Sequence, residues 1–286
     1  MTQYVVYDVF SDRQFGGNPL AVVPDARSLP EDALQRIARE FNYSESTFVF
    51  PPEDAASTAK VRIFTPTQEI PFAGHPTIGT AIALSALGLG GPDMILELGV
   101  GQIPCHVEAG QARFETRVPL QTWDGITPDI VASSIGQSVD CVRTDRHAPI
   151  IASVGLPFAI AELRDREALA AAEANIHAFK SFEAVWPAES HYDLLVYVRE
   201  GNNIQARMFA PLDGIPEDPA TGSAAAALAA LLGRQEGASN SFAITQGEDM
   251  GRPSTINASV EVEEGKPVGV TIAGSAVKIM QGTLAL

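Results

Sequence analysis

Two stretches of this chain are apolar on every side, and the rest of its hydrophobic pattern is arranged around them. The first is Ile70-Pro-Phe-Ala-Gly-His-Pro-Thr-Ile-Gly-Thr-Ala-Ile-Ala-Leu84, a Gly-containing loop running into a segment with no polar face. Pro76 and Thr77 suit a helix start, because the missing proline N–H would have no intrahelical acceptor there. A helix without a polar face belongs inside a domain. The pattern therefore predicts a buried helix over residues 76–87, stopped by Gly88-Leu-Gly-Gly-Pro92. The second stretch, Ile215-Pro-Glu-Asp-Pro-Ala-Thr-Gly-Ser-Ala-Ala-Ala-Ala-Leu228, has the same form and predicts a buried helix over residues 223–232, ending at Gly233.

The elements around these helices repeat as well. Arg62-Ile-Phe-Thr-Pro66 precedes the first and Arg207-Met-Phe-Ala-Pro211 the second, 145 residues apart, close to half of 286. A repeat at that spacing implies two similar halves rather than a solenoid. In the first half, β-rich runs at 4–10 and 20–23 flank the turn signal Gly16-Gly-Asn-Pro19. Ser28-Leu-Pro-Glu31 has the spacing of a capping box, and Leu34, Ile37, Ala38 and Phe41 follow at helical intervals to about Asn42. Strands are predicted at 44–50, 61–66, 94–98, 103–108 and 112–118. The second half shows a short helix after Pro128, strands at 150–154 and 158–163, and a helix over 166–179. Strands follow at 194–198, 205–209, 242–245, 258–263, 268–272 and 276–280. Many short strands with one apolar helix per half predict an α+β fold of two pseudo-symmetric, barrel-like sheets, each curled around its helix. Strands and helices do not alternate one for one, which excludes a doubly wound parallel sheet. The linker 119–128 marks the boundary between domains 1–118 and 119–277.

Composition narrows the chemistry. The chain is 45% hydrophobic and 19% charged with a formal net charge of −16, which argues against a nucleic-acid partner. An anionic ligand would need a local site, which helix N-termini supply through unpaired N–H groups and partial positive charge. Cys105 and Cys141 are the only cysteines and belong to no CxxC or Cys/His cluster, so neither a disulfide scaffold nor a metal site is expected. No G-x-G-x-x-G follows a strand and no P-loop is present, so no nucleotide cofactor is expected. The first residues read as a strand rather than a signal peptide, and no apolar run is long enough to span a bilayer. A cytoplasmic protein without membrane partners is the expectation.

The candidate chemistry sits in the helix-start loops. His75 follows Gly74 at the mouth of the first helix. Asp218 lies four residues before Gly222 and Ser223 at the mouth of the second. Each has an ordinary explanation: a structural histidine, an Asp-Pro turn, and a serine N-cap. Two halves related by a pseudo-twofold axis would nevertheless turn both helix N-termini to one cleft, where His75, Asp218 and Ser223 would meet backbone N–H groups near Gly74 and Gly222. Those groups could hold a carboxylate or stabilise an enolate-like charge. Glu45, at a strand start between Ser44 and Ser46, is ordinarily a solvated charge. Facing such a cleft, it becomes a proton carrier.

Phe15-Gly-Gly-Asn-Pro-Leu-Ala-Val-Val23, Asn42-Tyr-Ser-Glu-Ser-Thr47, Phe64-Thr-Pro-Thr-Gln-Glu-Ile-Pro-Phe-Ala-Gly-His-Pro-Thr77, Glu217-Asp-Pro-Ala-Thr-Gly-Ser-Ala224, Gln246-Gly-Glu-Asp-Met-Gly-Arg-Pro-Ser254 and Gly274-Ser-Ala-Val277 resemble the phenazine-biosynthesis PhzF-like isomerase family. The resemblance covers the chain in order and implies the diaminopimelate-epimerase-like fold, with 278–286 returning to the first domain. It places the proton-transferring glutamate at Glu45 and further site residues at His75, Asp218 and Ser223, with carboxylate-binding backbone at Gly74 and Gly222. It also implies a homodimer. Diaminopimelate epimerase carries a cysteine in each helix-start loop; neither loop here has one, which disfavours two-thiol racemisation. The expected function is a cofactor-independent isomerase that shifts a proton on a small cyclic or unsaturated carboxylic acid. The alternatives are an amino- or hydroxy-acid epimerase and a non-catalytic binding member of the fold.

Overall fold

A computed structural model of the chain describes residues 1–184, 186 and 191–285. In chain order the elements are β1 (Thr2–Val9), β2 (Asn18–Val23), α1 (Glu31–Phe41), β3 (Glu45–Phe50), β4 (Ala59–Phe64), β5 (Glu69–Ile70), α2 (Gly74–Ala86), β6 (Asp93–Leu98), β7 (Gly101–Glu108) and β8 (Gln111–Thr116). There follow β9 (Gln121–Trp123), α3 (Pro128–Ser134), β10 (Ile150–Ser153), β11 (Pro157–Glu162), α4 (Arg166–Ala170), α5 (Ile176–Glu183), β12 (Leu194–Glu200) and β13 (Asn203–Ala210). The chain closes with β14 (Ile215–Asp218), α6 (Gly222–Glu236), β15 (Asn240–Gln246), β16 (Ser254–Glu263) and β17 (Lys266–Leu284). It divides into two units, Met1–Glu115 with Ile272–Leu286, and Thr116–Thr271. Leu286, assigned from sequence to the returning segment, lies outside the described residues.

The first unit is a closed barrel. Antiparallel pairs β1–β2, β3–β4, β6–β7 and β7–β8 are joined by parallel pairs β2–β3 and β4–β6, and β17 completes the ring between β8 and β1. A parallel step needs a crossover connection; α1 makes the first and α2 the second. Helix α2 contacts β1, β2, β3, β6 and β7, and its residues Gly74 to Leu84 are all buried. This is the interior position that an all-apolar surface requires. Helix α1 is amphipathic and lies outside the ring, burying Leu34, Ile37 and Ala38 against Phe48 and Phe64.

The second unit repeats this grammar. Strands β9–β10–β11, β12–β13 and β15–β16 pair antiparallel, with parallel joins β11–β12 and β13–β15. The parallel joins are again bridged by helices, α4 and α5 for one and the buried α6 for the other. Helix α6 contacts β10, β11, β15 and β16.

Four details differ from the sequence expectation, each for a local reason. Ser28 is not a cap: α1 starts at Glu31 after Pro30, and the Ser28 hydroxyl meets that of Thr2 at 3.1 Å. The helix expected over 166–179 is two, because Asn175 accepts from the His177 N–H and starts α5 afresh. Gly233 does not stop α6. A Cβ there would lie 2.7 Å from Val260 Cγ1, so the glycine permits close packing on β16, and the helix runs on to the αL residue Gly237. The last two expected strands are one. Gly274 interrupts the apolar pattern only because the Phe10 ring occupies the space a Cβ would need, 2.2 Å away.

Candidate active site

In the first unit the candidate residues come together at the start of α2. Glu45 is the first residue of β3, paired with Leu20 in the parallel ladder with β2. Two residues on, the Thr47 hydroxyl meets that of Thr80 in α2 at 2.9 Å, which ties the strand to the buried helix. His75 does not sit in a loop. Helix α2 opens at Gly74, so His75 lies in the first turn, with its side chain 4% exposed. Its Nδ1 is 3.5 Å from Glu45 Oε2 and 3.4 Å from Asn18 Nδ2. Asn18 is fully buried, and its Oδ1 accepts from the Ser44 hydroxyl at 2.8 Å. The residue before α2 is Ala73, which offers no side-chain cap, so the N–H groups of the first turn are not met by a capping side chain.

Burial lowers the His75 pKa to about 3, so the ring is neutral at any physiological pH. The unfolded chain takes up this proton below its ordinary value near 6.5, and the folded chain does so only near 3. Stability contributed by the neutral ring is therefore complete above about 6.5 and is lost as pH falls from there toward 3. His75→Gln should flatten the decline of the urea midpoint between pH 6 and 4; an unchanged decline would show that His75 is protonated in the fold.

In the second unit Asp218 ends β14, buried, and its Oδ2 accepts from the Thr221 hydroxyl at 2.5 Å. Gln246, at the end of β15, clamps this loop: its Nε2 donates to Asp218 O at 2.7 Å and Thr221 Oγ1 at 3.0 Å, and its Oε1 accepts from Thr221 N–H at 3.3 Å. Helix α6 begins at Gly222 after Thr221, whose hydroxyl is spent on Asp218 rather than on a cap. Ser223 is therefore not the N-cap but the second helical residue. Beside this loop, burial and the charges of Asp213, Asp218 and Glu183 hold the Asp193 carboxyl well above the usual carboxylate range. Asn18, Ser44, Thr221, Gln246 and Asp193 were not singled out from sequence as site residues. Single polar residues in strands and turns carry no periodic signal; Asn18 lay in the Gly16–Pro19 turn signal, and Asn18, Ser44, Thr221 and Gln246 lay in the stretches that carry the family resemblance.

Gly247 fixes the other side of the Gln246 clamp. Its φ is +76°, and a Cβ would lie 2.4 Å from Arg252 O and 2.8 Å from Pro219 O. Gly247→Ala should cost more than about 2 kcal/mol, combining positive-φ strain with two backbone collisions. Gly214, at φ +79° with open space around it, should cost about 1 kcal/mol on the same change. Urea titrations giving equal losses would refute the collision.

Neither thiol offers a nucleophile: burial pushes Cys105 up to about 12 and raises Cys141. Among the described residues no group of three or more His, Cys, Asp or Glu is placed to hold a metal ion, and no helix is long and apolar enough to cross a membrane.

The chain resembles known proteins along its whole length. The sequence model of a family described as "Phenazine biosynthesis-like protein" matches residues 7–282. An uncharacterised isomerase of Mesorhizobium japonicum is 36% identical, covering 98% of both chains. Trans-2,3-dihydro-3-hydroxyanthranilate isomerase of Pseudomonas fluorescens is 36% identical over 100% of both. The crystal structure of a Bacillus anthracis PhzF-family phenazine biosynthesis protein superposes with a TM-score of 0.86, covering 100% of this chain and 99% of that one, at 23% identity.

Proposed function

Because the chain belongs to the phenazine biosynthesis-like (PhzC-PhzF) family of isomerases, we propose that it shifts a proton on a small cyclic or unsaturated carboxylic acid, with Glu45 as the acid/base. The enzyme is an isomerase with the diaminopimelate-epimerase-like α+β fold. The observation that carries the glutamate assignment is the company Glu45 keeps. Its Oε2 lies 3.5 Å from Nδ1 of the buried, neutral His75, at the uncapped start of α2. A neutral imidazole at pH 7 can donate or accept a hydrogen bond but is a poor proton source, which leaves the carboxyl to carry the proton.

In this reading Glu45 takes a proton from one carbon of the substrate and, once its carboxyl proton has exchanged with solvent, delivers one to another carbon on the same face. N–H groups at Gly74 bind the substrate carboxylate, as helix N-termini do. Asp218 is proposed to hold an amino or hydroxyl group of the substrate, and Gly222 and Ser223 to contribute further donors from the start of α6. His75 assists by orienting the substrate. No cofactor is invoked, since proton movement next to a stabilised anion needs only an acid/base and donors.

Turnover in D2O tests the proposal. With trans-2,3-dihydro-3-hydroxyanthranilate, the substrate named for the Pseudomonas fluorescens relative, and a panel of similar unsaturated acids, a reacting compound should gain one solvent deuteron at a new carbon as its double bond moves. Inversion at a stereocentre with no double-bond shift would overturn the proposal in favour of epimerisation. Binding of panel members without exchange would favour a non-catalytic role.

A further inference from the structure

The acid/base reading leaves His75 with two ring nitrogens to assign, and its surroundings treat them differently. Nδ1 faces polar groups: Asn18 Nδ2 at 3.4 Å and Glu45 Oε2 at 3.5 Å. Nε2 is buried and has no hydrogen-bond partner among the described residues. The Asn18 amide is oriented by the Ser44 hydroxyl, which donates to Oδ1 at 2.8 Å and so turns the NH2 toward the imidazole. An NH2 group can only donate, so Nδ1 must present its lone pair and the single proton of the neutral ring must sit on Nε2.

We propose that the Ser44–Asn18 relay fixes His75 as its Nε2–H tautomer, making Asn18 and Ser44 positioning residues for the reaction. Two consequences serve the chemistry. The Nε2–H is a neutral donor, and one brought within reach of a substrate oxygen on which charge develops would stabilise that charge without losing its proton. The Nδ1 lone pair is an acceptor beside Glu45. It does nothing for the ionised carboxylate, but once Glu45 has taken the substrate proton the carboxyl can share this lone pair with the Asn18 NH2 in a three-centre bond. The relay thus favours the proton-loaded state of Glu45 over its resting state, the difference that lowers a barrier.

This second consequence rests on Glu45 as proton carrier; the tautomer itself does not, and the experiment separates them. Long-range 1H–15N correlation spectra of the 15N-labelled full chain distinguish a pyridine-like from a pyrrole-like ring nitrogen. His75 is assigned among the five histidines by its loss in His75→Gln. The expected result is a pyridine-like Nδ1 and a pyrrole-like Nε2 that do not titrate above pH 5. A pyrrole-like Nδ1, or an imidazolium at neutral pH, would overturn the proposal. In Asn18→Asp the new carboxylate can only accept, so the Nδ1 signal should shift to pyrrole-like. Since a buried aspartate endangers folding, Ser44→Ala is the second probe: with Oδ1 released, an Nδ1–H population should appear beside the original. If Ser44→Ala, or a folded Asn18→Asp, keeps the wild-type signature, the relay does not set the tautomer. Should the wild type show Nε2–H while Glu45→Gln retains deuterium exchange, the relay stands and the acid/base assignment fails. The reverse pair of results removes the relay and keeps Glu45.

Discussion

Glu45→Gln should lower kcat/KM by at least about 10²–10⁴-fold, the usual contribution of one positioned acid/base, and should abolish incorporation of solvent deuterium into product. Glutamine matches glutamate in length and volume, and the Glu45 backbone remains in the β2–β3 ladder through Leu20. The substitution also leaves the Thr47–Thr80 bond in place and alters only one contact with α2, that of His75 Nδ1. Its thermal midpoint should therefore stay within a few degrees of wild type, so that lost exchange reports chemistry rather than unfolding. Binding should survive better than turnover, because the N–H groups proposed to bind the carboxylate are those of the helix start. KM should change less than kcat. Asp218→Asn is the informative contrast. The Thr221 hydroxyl can still donate to the asparagine oxygen and Gln246 still clamps the loop through backbone, so a loss confined to KM would assign Asp218 to substrate positioning. Persistence of wild-type exchange in Glu45→Gln would remove the central claim.

The sequence disclosed the fold and the candidate site unevenly. Helices α2 and α6 were legible because a segment without a polar face has one destination, the interior, and the Arg-x-Phe repeat announced that there were two of them. Glu45 and His75 were legible by position, one at a strand start and one beside a glycine. Their contact was not, since it depends on β3 and α2 meeting across the barrel through Thr47 and Thr80. The errors share a cause. Gly233 and Gly274 read as breaks in the pattern, yet each is a place where another side chain, Val260 or Phe10, fills the volume of the missing Cβ. Ser28 and Ser223 read as caps because spacing alone cannot show where a helix begins. Asn18 and Gln246, which hold the two helix-start loops, are single polar residues buried by tertiary packing, and no periodicity marks such residues.

Burial also separates two arginines that the repeat makes look equivalent, and Arg207→Met should cost about 3–5 kcal/mol in urea unfolding, against about 1 kcal/mol or less for Arg62→Met. Both guanidinium groups lie over the phenylalanine two residues on, at 5.2 Å for Phe64 and 5.1 Å for Phe209. Both form two-bond pairs with a glutamate that precedes the buried helix, Glu69 at 2.7 and 2.6 Å and Glu217 at 2.8 and 2.7 Å. The side chain of Arg62 is 21% exposed and its partners Glu69 and Glu31 are 42% and 76% exposed, so solvent takes over when the arginine is lost. Arg207 and Glu217 are only 9% and 14% exposed. Arg207 also donates to the carbonyls of Leu169 and Ala170 at 3.0 Å, so its removal strands a buried carboxylate and the end of α4 together. Most of the loss comes from that stranded charge, so Arg207→Met/Glu217→Leu should recover about half of it. Glu217 adjoins Asp218, and the single variant should therefore also weaken substrate binding, while the Arg62 variant should not. Equal destabilisation of the two single variants, or no recovery in the double one, would show that burial does not decide what these paired motifs contribute.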